Sequence, residues 1–390
     1  MNISEQYLPA YLRNSEKVIH AYSYNQPFAR FLKNYFKENP KMGSRDRKIV
    51  SRYCYNYFRI GDFAEEHTFT DRVILAEYLC EKESVLVEKY SPELYSTIEK
   101  PISEKINILN RDSTYSFESV FPVDLKFSEE IDKKKFLEKQ LVQPNLYLRA
   151  KQTKVGEIQM FFDKHSIAYS FKEPNTFVLD NRTSISHFRE MKGNWEVQDL
   201  SSQQTFSFFP KLSNNEVWWD ACAGSGGKSL MLLDAYPNLK LYLSDSRSSI
   251  LKNLRKRFSE AGISADFHTH TLDLNKGVSF PENVTFDGLL LDVPCSGSGT
   301  WSRTPEMKLQ FKKEDIYEYT TLQKNIVKNA LPHLKKGGCL MYVTCSIFNA
   351  ENESIADYIC TEFNMSLDRK ELIKGYENKA DTMFVARFYK

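Results

Sequence analysis

Two of the seven cysteines directly follow predicted strands and stand next to turn-forming residues, a setting that suits thiol chemistry. Cys295 lies in Asp-Val-Pro-Cys-Ser-Gly-Ser-Gly after one apolar run, and Cys345 lies in Thr-Cys-Ser after the next. A single cysteine at such a position is more often a packed side chain. Two of them at neighbouring strand ends favour a nucleophilic role. Because no histidine is adjacent to either cysteine, a Cys–His hydrolase is poorly supported.

A glycine-rich segment from Asp220 to Lys228 connects a predicted strand to a predicted helix. Glycines let a backbone turn sharply and approach a ligand closely, but the spacing here is not that of a P-loop. Asp245 follows the second strand, where a carboxylate can accept hydrogen bonds from both hydroxyls of a ribose, although a helix N-cap is also a fair interpretation. Asp273 follows the third strand. Together these features predict an adenosine-containing cofactor and leave open a dinucleotide or S-adenosylmethionine.

The elements that must position these residues are short apolar runs that alternate with helical patterns from about residue 215 onward. This alternation predicts an α/β fold with a doubly wound, mostly parallel sheet, in which ligands bind at the carboxyl ends of the strands. The pattern of residues 141–194 predicts a smaller α/β module. Residues 1–140 are predicted to be helical. The predicted strands of the large sheet are Val217–Trp219, Leu239–Leu243, Phe267–Thr271, Phe286–Leu291, Cys339–Val343 and Met383–Phe388.

The helical segment carries a basic cluster. From Arg30 to Arg59, nine basic residues stand against two acidic ones, and aromatic residues are interleaved with them. Ser44 is predicted to cap a helix that runs from about Asp46 to Arg59. Basic segments with aromatics suit a phosphate backbone and exposed bases, but solvated helix faces with core aromatics give the same pattern. A second basic cluster contains Lys133, Lys134, Lys135 and Lys139.

Composition excludes several other classes of protein. Of 390 residues, 41% are hydrophobic and 27% are charged, which is typical of a folded globular chain. No run reaches the roughly 18 apolar residues of a membrane helix, and the first residues lack the apolar core of a signal peptide, so a cytoplasmic protein is expected. The cysteines form no C-x-x-C pair, and reduced thiols are expected. His268 and His270 share a strand face without further ligands, so no metal is expected.

The motifs, taken in order, resemble a known enzyme family. Asp-Ala-Cys-Ala-Gly-Ser-Gly-Gly-Lys, Asp-Val-Pro-Cys-Ser-Gly-Ser-Gly and Thr-Cys-Ser resemble the Fmu/Sun/RsmB-type RNA cytosine-5 methyltransferases. The resemblance covers about Trp195 to Lys390, with Ser225 where proline is common. Residues 146–150 resemble the family's RRM-like module, and residues 44–59 resemble the helical RNA-binding region of bacterial members more loosely. It implies a Rossmann-like S-adenosylmethionine-dependent methyltransferase domain at 195–390. An RRM-like α/β module at 141–194 and a helical RNA-binding domain at 1–140 would precede that domain.

The resemblance also implies a role for each site residue. Cys345 would be the nucleophile that adds to carbon 6 of cytosine, and Cys295 would assist loss of the carbon 5 proton and release of the RNA. Asp292 would lie between cofactor and base, on the base's Watson–Crick edge. Cys345 needs help to ionise, for which Lys228 or a helix N-terminus is the expected source. The implied S-adenosylmethionine-binding residues are Cys222, Ala223, Gly224, Ser225, Gly226, Gly227, Lys228, Asp245 at the ribose, Asp273 at the adenine, and Asp292.

The expected substrate is RNA that is single-stranded or has its target base flipped out. The resemblance of the whole architecture to bacterial rRNA enzymes favours rRNA, with tRNA as the alternative, and the protein is expected to be a monomer. A non-catalytic RNA-binding factor for ribosome assembly is a further alternative, against which the presence of both Cys295 and Cys345 argues. A DNA methyltransferase is disfavoured, because the resemblance to such enzymes is limited to the Pro-Cys motif and they lack the Thr-Cys-Ser cysteine. Cys222 is interpreted as a packed residue rather than a third nucleophile.

Overall fold

A computed structural model describes residues 4–111, 115–185, 188–213, 215–278, 280 and 284–390. The chain forms two compact units. The domain boundaries predicted near residues 140 and 194 stay predictions. Within the described ranges, no helix is both long enough and apolar enough to cross a membrane. The first unit comprises Met1–Asp124, Asp132–Gln143 and Trp301–Lys313, and the second comprises Leu125–Ile131, Pro144–Thr300 and Glu314–Lys390.

The first unit consists of helices around an aromatic and aliphatic core. Its third helix begins at Ser44, and the residue that precedes it, Gly43, donates its backbone N–H to the Asp46 carboxylate at 3.0 Å. The predicted Ser44 cap is therefore wrong, because the cap is supplied from inside the first turn. The helices are α1 (Leu8–Ala21), α2 (Phe28–Glu38), α3 (Ser44–Arg59), α4 (Phe69–Cys80), α5 (Val85–Tyr90), α6 (Pro92–Tyr95), α7 (Ile102–Leu109), α8 (Lys133–Gln140) and α13 (Met307–Gln310).

The basic cluster between residues 30 and 59 is only partly a surface. Arg59 is 3% exposed and donates to Asn56, and Arg52 pairs with the buried Glu77 at 2.7 Å. The interleaved aromatic rings pack in or against the core of the unit. Arg52, Arg59 and the aromatic residues therefore stabilise the unit. A nucleic acid could contact only the other basic residues of the cluster. The exposed basic residues are Arg30, Lys33, Lys37, Lys41, Arg45 and Lys48.

The second unit contains a small antiparallel sheet of four strands in the order β2-β3-β1-β4. Helix α9 covers it, and Ile158 and Phe162 of this helix pack with Leu148 and Phe177 of the sheet. This is a βαββ arrangement with one further strand, as in ferredoxin-like modules. The elements are β1 (Leu146–Ala150), α9 (Val155–Lys164), β2 (Ser170–Lys172), β3 (Thr176–Leu179) and β4 (Trp195–Val197).

The same unit contains a sheet of seven strands in the order β10-β11-β9-β8-β5-β6-β7. The strands from β9 to β7 are parallel, and β11 is antiparallel to both of its neighbours. The predicted α/β class with a Rossmann-like, mostly parallel sheet is confirmed. Its strands are β5 (Val217–Asp220), β6 (Lys240–Asp245), β7 (Phe267–Thr271), β8 (Phe286–Asp292), β9 (Leu334–Thr344), β10 (Ser366–Ile373) and β11 (Met383–Tyr389).

Helices cover both faces of this sheet, so its central strands are buried on both sides and read as continuous apolar runs. Trp219 and Leu289 belong to the core on one face, and Trp218 and Leu290 belong to the core on the other. The chain adds β6 and β7 on one side of β5 and then crosses to place β8 on the other, which makes the gap between β5 and β8 the switch point where ligands bind. The helices are α10 (Leu200–Gln204), α11 (Gly227–Ala235), α12 (Ser248–Glu260), α14 (Asp315–Ala330) and α15 (Glu353–Phe363).

Candidate active site

Three neighbouring parallel strands end side by side at this switch point. Asp220 at the end of β5 is in register with Leu290, two residues before Asp292 ends β8, and Asp292 is in register with Val343, one residue before β9 ends. The loop after β8 carries Cys295, and the loop after β9 carries Cys345. Sheet topology therefore places Asp220 and the predicted site residues Asp292, Cys295 and Cys345 at one edge.

The two thiols lie close together. The sulfur atoms of Cys295 and Cys345 are 3.3 Å apart, which is within reach of an S–H···S hydrogen bond. That hydrogen bond, followed by burial and the negative charge of Glu351, raises the pKa of Cys295 well above its ordinary value. Cys295 therefore keeps its proton near neutral pH and can donate it toward Cys345. The arrangement brings together the pair that the sequence singled out, and the division of labour between them stays a prediction.

Lys228 and Asp292 form an ion pair at the end of β8, in the strand that leads to the Cys295 loop. The ammonium of Lys228, in the first turn of α11, lies 2.7 Å from Oδ2 of Asp292, and the two side chains are 8% and 34% exposed. The sequence offered Lys228 as a source of help for ionising Cys345, but its ammonium donates to Asp292 instead. This ion pair holds the Asp292 carboxylate in place at the end of β8, at the switch point.

The glycine-rich loop is held in a conformation that glycine favours. Gly226 precedes α11 with φ of 80°, and a Cβ there would approach the Phe258 ring to 2.6 Å. Ala223 donates its backbone N–H to the carbonyl of Ser244 at 2.8 Å, which fastens the loop to β6. Arg257 donates to the carbonyl and hydroxyl oxygens of Ser225 at 3.0 and 2.7 Å. The serine at the position where the family commonly has proline is thus itself an anchor.

Asp245 ends β6 with its carboxylate fully engaged. Gly224 donates its backbone N–H to Oδ2 at 3.1 Å, and Arg247 donates its backbone N–H and guanidinium at 2.9 to 3.1 Å. Burial opposes ionisation, but the bonds from Arg247 prevail and lower the pKa of Asp245 below its ordinary value. An ionised, oriented carboxylate at this position fits ribose hydroxyls, which would take over bonds from the more exposed Arg247 guanidinium.

Three carboxylates surround Cys222. Burial, followed by the negative charges of Asp220, Asp292 and Asp245, raises the pKa of Cys222 well above its ordinary value, which favours a packed thiol. Burial also raises the pKa of Asp220 to about 7, although the Ser229 hydroxyl donates to it. Its Oδ1 atom has no partner among the described residues. A buried, under-satisfied carboxylate beside the glycine-rich loop suits a cationic ligand group.

Asp220 is a site residue that the sequence reasoning missed, although its position directly before the glycine-rich loop was a usable signal. Asp273, which the resemblance assigned to the adenine, lies in the turn after β7, where it accepts the backbone N–H of Asn275 and pairs with Lys276. His268 and His270 both pack against the ring of Tyr242. Among the described residues, no group of three or more His, Cys, Asp or Glu side chains could hold a metal ion.

The fold and the site define a class: a Rossmann-like α/β domain with a cofactor loop at its switch point and a pair of thiols beside it. Residues 208–389 match the family model for the 16S rRNA methyltransferases RsmB/F. This match confirms the predicted resemblance to the Fmu/Sun/RsmB family over this part of the chain.

Relatives of this chain are named ribosomal RNA small subunit methyltransferase B or F. The chain is 33% identical over 180 residues to ribosomal RNA small subunit methyltransferase B of Shewanella oneidensis, with 46% of this chain and 41% of that protein covered. It is 34% identical to methyltransferase B of Photorhabdus laumondii, covering 51% and 48%. It is 31% identical to methyltransferase F of Aliivibrio salmonicida, covering 48% and 40%. The matches span less than half the length of these relatives.

Solved structures share the fold. The crystal structure of PH0851 superposes with a TM-score of 0.69 at 18% identity over 100% of both chains. A methyltransferase homologue from Pyrococcus horikoshii gives 0.56 at 22% identity over 66% of this chain and 90% of that one. NSun6 from the same organism, solved with SFG, gives 0.57 at 15% identity over 68% and 98%.

Proposed function

We propose that this protein methylates carbon 5 of a cytosine in ribosomal RNA, with S-adenosylmethionine as the methyl donor, through a covalent bond between a cysteine and the base. The observation that carries the proposal is the pair of thiols, 3.3 Å apart, at the switch point of a domain of the RsmB/F family. tRNA is the alternative substrate. A monomer that works in the cytoplasm on RNA, without a metal, is part of the same proposal.

Residues of this chain suit S-adenosylmethionine as cofactor. When bound, it supplies an electrophilic methyl group on a sulfonium. Asp245 would hold the ribose hydroxyls, and Asp273 would lie toward the adenine. The segment from Cys222 to Lys228 would wrap the methionine part, where the unpaired oxygen of Asp220 suits its positive charge. The RsmB/F match and the carboxylates around Cys222 support this assignment.

The two thiols would divide the chemistry on the base. Carbon 5 of cytosine is a poor nucleophile, and addition of the Cys345 sulfur to carbon 6 converts the ring to an enamine with a nucleophilic carbon 5. Asp292 would hold the Watson–Crick edge of the base while the Lys228 ammonium orients its carboxylate. After the methyl group has been added, the Cys295 thiol would release its proton to water and, as a thiolate, accept the proton from carbon 5, while the bond between the Cys345 sulfur and carbon 6 breaks to release the RNA.

A methyl-transfer assay with separate RNA classes tests the proposal. Total rRNA and tRNA from cells that lack the protein, and denatured DNA, are each incubated with the protein and methyl-labelled S-adenosylmethionine. We expect the label to appear in rRNA as 5-methylcytosine. Label in tRNA alone would show that the substrate is tRNA rather than rRNA. Binding of rRNA without label in any nucleic acid would favour the assembly-factor alternative.

The cofactor assignment predicts an effect of Asp245 on affinity. A buried hydrogen-bonding partner with a charge is worth about 1.5–3 kcal/mol, so Asp245→Ala should weaken S-adenosylmethionine binding at least about tenfold in calorimetry. Asp266→Ala is a matched control, because Asp266 is an exposed carboxylate that pairs with Lys240. Equal affinity in the wild-type protein and Asp245→Ala would remove this aspartate from the cofactor site.

The basic cluster, in which Arg45 and Lys48 are exposed and Arg47 is half-buried, predicts how RNA affinity depends on salt. If Arg45, Arg47 and Lys48 contact phosphates, replacing all three with serine should flatten the slope of log affinity against log salt by about two to three. Filter binding of labelled rRNA over a salt series measures the slope. Cofactor affinity should stay unchanged.

A triple replacement of Lys324, Lys328 and Lys336 removes the same charge from the second unit and is the matched control. We expect this control to keep the wild-type slope. An identical slope in both triple variants and the wild type would identify the basic cluster as an ordinary solvated surface.

A further inference from the structure

One buried carboxylate binds both loops that carry the thiols, and the loops also bond to each other directly, as between the hydroxyls of Ser298 and Ser346 at 3.2 Å. The side chain of Glu351 is fully buried. Its Oε1 accepts the backbone N–H of Ser296 at 2.9 Å and the amide of Gln323 at 3.0 Å. Its Oε2 accepts the hydroxyls of Ser296 at 2.6 Å and of Ser346 at 2.5 Å. Ser296 directly follows Cys295, and Ser346 directly follows Cys345.

We propose that Glu351 is the positioning residue of the thiol pair, which it holds together by binding the residue after each cysteine and Gln323 of α14 behind them. This inference rests on the proposed function and deepens it. Four donors on one carboxylate satisfy nearly all of its acceptor capacity, which favours a fixed position. Movement of either serine by about 1 Å would break these bonds, and misplacement on this scale can lower a rate about a hundredfold.

Each of the other hydrogen-bonding groups near the thiols connects fewer of the three segments, which are the two cysteine loops and α14. Asn352 accepts the Thr344 hydroxyl and donates to the carbonyl of Ser346 at 2.9 Å, so it fastens the Cys345 loop alone. The backbone N–H of Gly299 donates to the carbonyl of Cys345 at 2.9 Å. Gln323 also donates to the carbonyl of Pro294, the residue before Cys295, at 3.0 Å. Glu351 is therefore the group on which both cysteine loops and α14 converge.

The charge of Glu351 has a separate consequence for Cys295. Among the described residues, the titratable groups that interact with Cys295 include Cys345, Glu351, Tyr342 of β9 and Tyr319 of α14. Burial raises the pKa of both tyrosines, so they stay neutral near pH 7. The Glu351 charge opposes ionisation of Cys295 and so helps this thiol to retain its proton while Cys345 acts.

The isosteric variant Glu351→Gln separates position from charge. Its amide oxygen can accept from Ser296 N–H and Gln323, and its NH₂ group can donate to the two serine hydroxyls, which rotate to accept. Glu351→Ala removes all four bonds. Glu353→Gln is the matched control. Glu353, the first residue of α15, is buried like Glu351, but it accepts hydrogen bonds from Ser128, Glu129 and Asn349 rather than from the thiol loops.

The first readout needs neither RNA nor cofactor. Iodoacetamide alkylation of Cys295 and Cys345 in the full chain is followed against pH by mass spectrometry of the two peptides. In Glu351→Gln, loss of the negative charge should shift the alkylation midpoint of Cys295 to lower pH by about one unit. Glu353→Gln should keep the wild-type midpoint. An unmoved midpoint in Glu351→Gln would overturn the inference about charge.

The second readout is the single-turnover rate of methyl transfer to rRNA from cells that lack the protein, in variants shown by circular dichroism to be folded. Glu351→Ala should lose about a hundredfold, and Glu351→Gln should recover to within about tenfold of wild type. Should Glu351→Ala fail to fold, Glu351→Gln and Glu351→Asp carry the comparison, and the shorter Asp should be the slower. A folded Glu351→Ala, or Glu351→Asp, with the wild-type rate overturns the inference. A wild-type protein that methylates no RNA while its Cys295 midpoint still depends on Glu351 contradicts the proposed function and leaves the positioning intact.

Discussion

Replacement of Cys345 by alanine is expected to lower methyl transfer by a factor on the order of 10⁴ or more, because the covalent step that activates carbon 5 is lost. The variant should also leave no RNA attached to protein after denaturing electrophoresis. The sulfur of Cys295, 3.3 Å from that of Cys345, should not substitute for it, because burial and the charge of Glu351 still oppose its ionisation once the hydrogen bond to Cys345 is gone. Single-turnover transfer of a labelled methyl group and the gel together measure the loss.

Replacement of Cys295 by alanine should give the opposite pattern on the gel. Addition and methylation proceed, but the group that accepts the carbon 5 proton is gone, so a protein–RNA band that contains the transferred methyl group should accumulate. Cys360→Ala is a matched control, since Cys360 lies on α15 and packs against the core of the large sheet. An adduct that accumulates in Cys345→Ala and is absent in Cys295→Ala would exchange the roles of the two cysteines.

Asp292→Asn is expected to have the second largest effect. The change keeps the shape of the side chain but removes the charge that would hold the Watson–Crick edge of cytosine, and losing one preorganised electrostatic contact of this kind costs about 100- to 1,000-fold in kcat. We therefore expect kcat to fall by at least about 100-fold, with a smaller change in KM for RNA. Steady-state kinetics with rRNA as substrate measure both constants.

Asp368→Asn is the control for this variant, because Asp368 pairs with Arg387 at the opposite edge of the sheet. Thermal unfolding is measured alongside, since Asp292→Asn leaves the ammonium of Lys228 without its charged partner in a mostly buried pair. A folded Asp292→Asn variant with the wild-type kcat would show that this carboxylate takes no part in the reaction.

The sequence predicted the elements whose signal is local. Six strands of the large sheet were found, and the signal is clearest in β5, β6, β8 and β9, because a parallel strand that is buried on both faces is mostly apolar. Strand β10 was missed because Ser366–Ile373 lies at the edge of the sheet, where it is largely exposed and carries four charged residues. The Ser44 cap was wrong because the donor to Asp46 is the backbone of Gly43, which a preference for serine cannot indicate.

The candidate site was predictable only in part, for a similar reason. Cys295 and Cys345 were identified because both end strands, and strand ends meet at one edge of a parallel sheet. The partner of Lys228 depends on side-chain positions across the switch point, so no sequence pattern indicates its ion pair with Asp292. The four bonds of Glu351 join residues up to 55 positions apart and leave no periodic pattern in the chain.

Bisulfite sequencing of rRNA from cells with and without this protein tests the central claim most directly. At least one rRNA cytosine should resist conversion in cells that contain the wild-type protein and convert fully in cells that lack it. Restoring the wild-type protein should restore the resistance, and restoring Cys345→Ala should not. An rRNA conversion pattern that is the same in all four strains would contradict the assignment of this protein as an rRNA cytosine-5 methyltransferase.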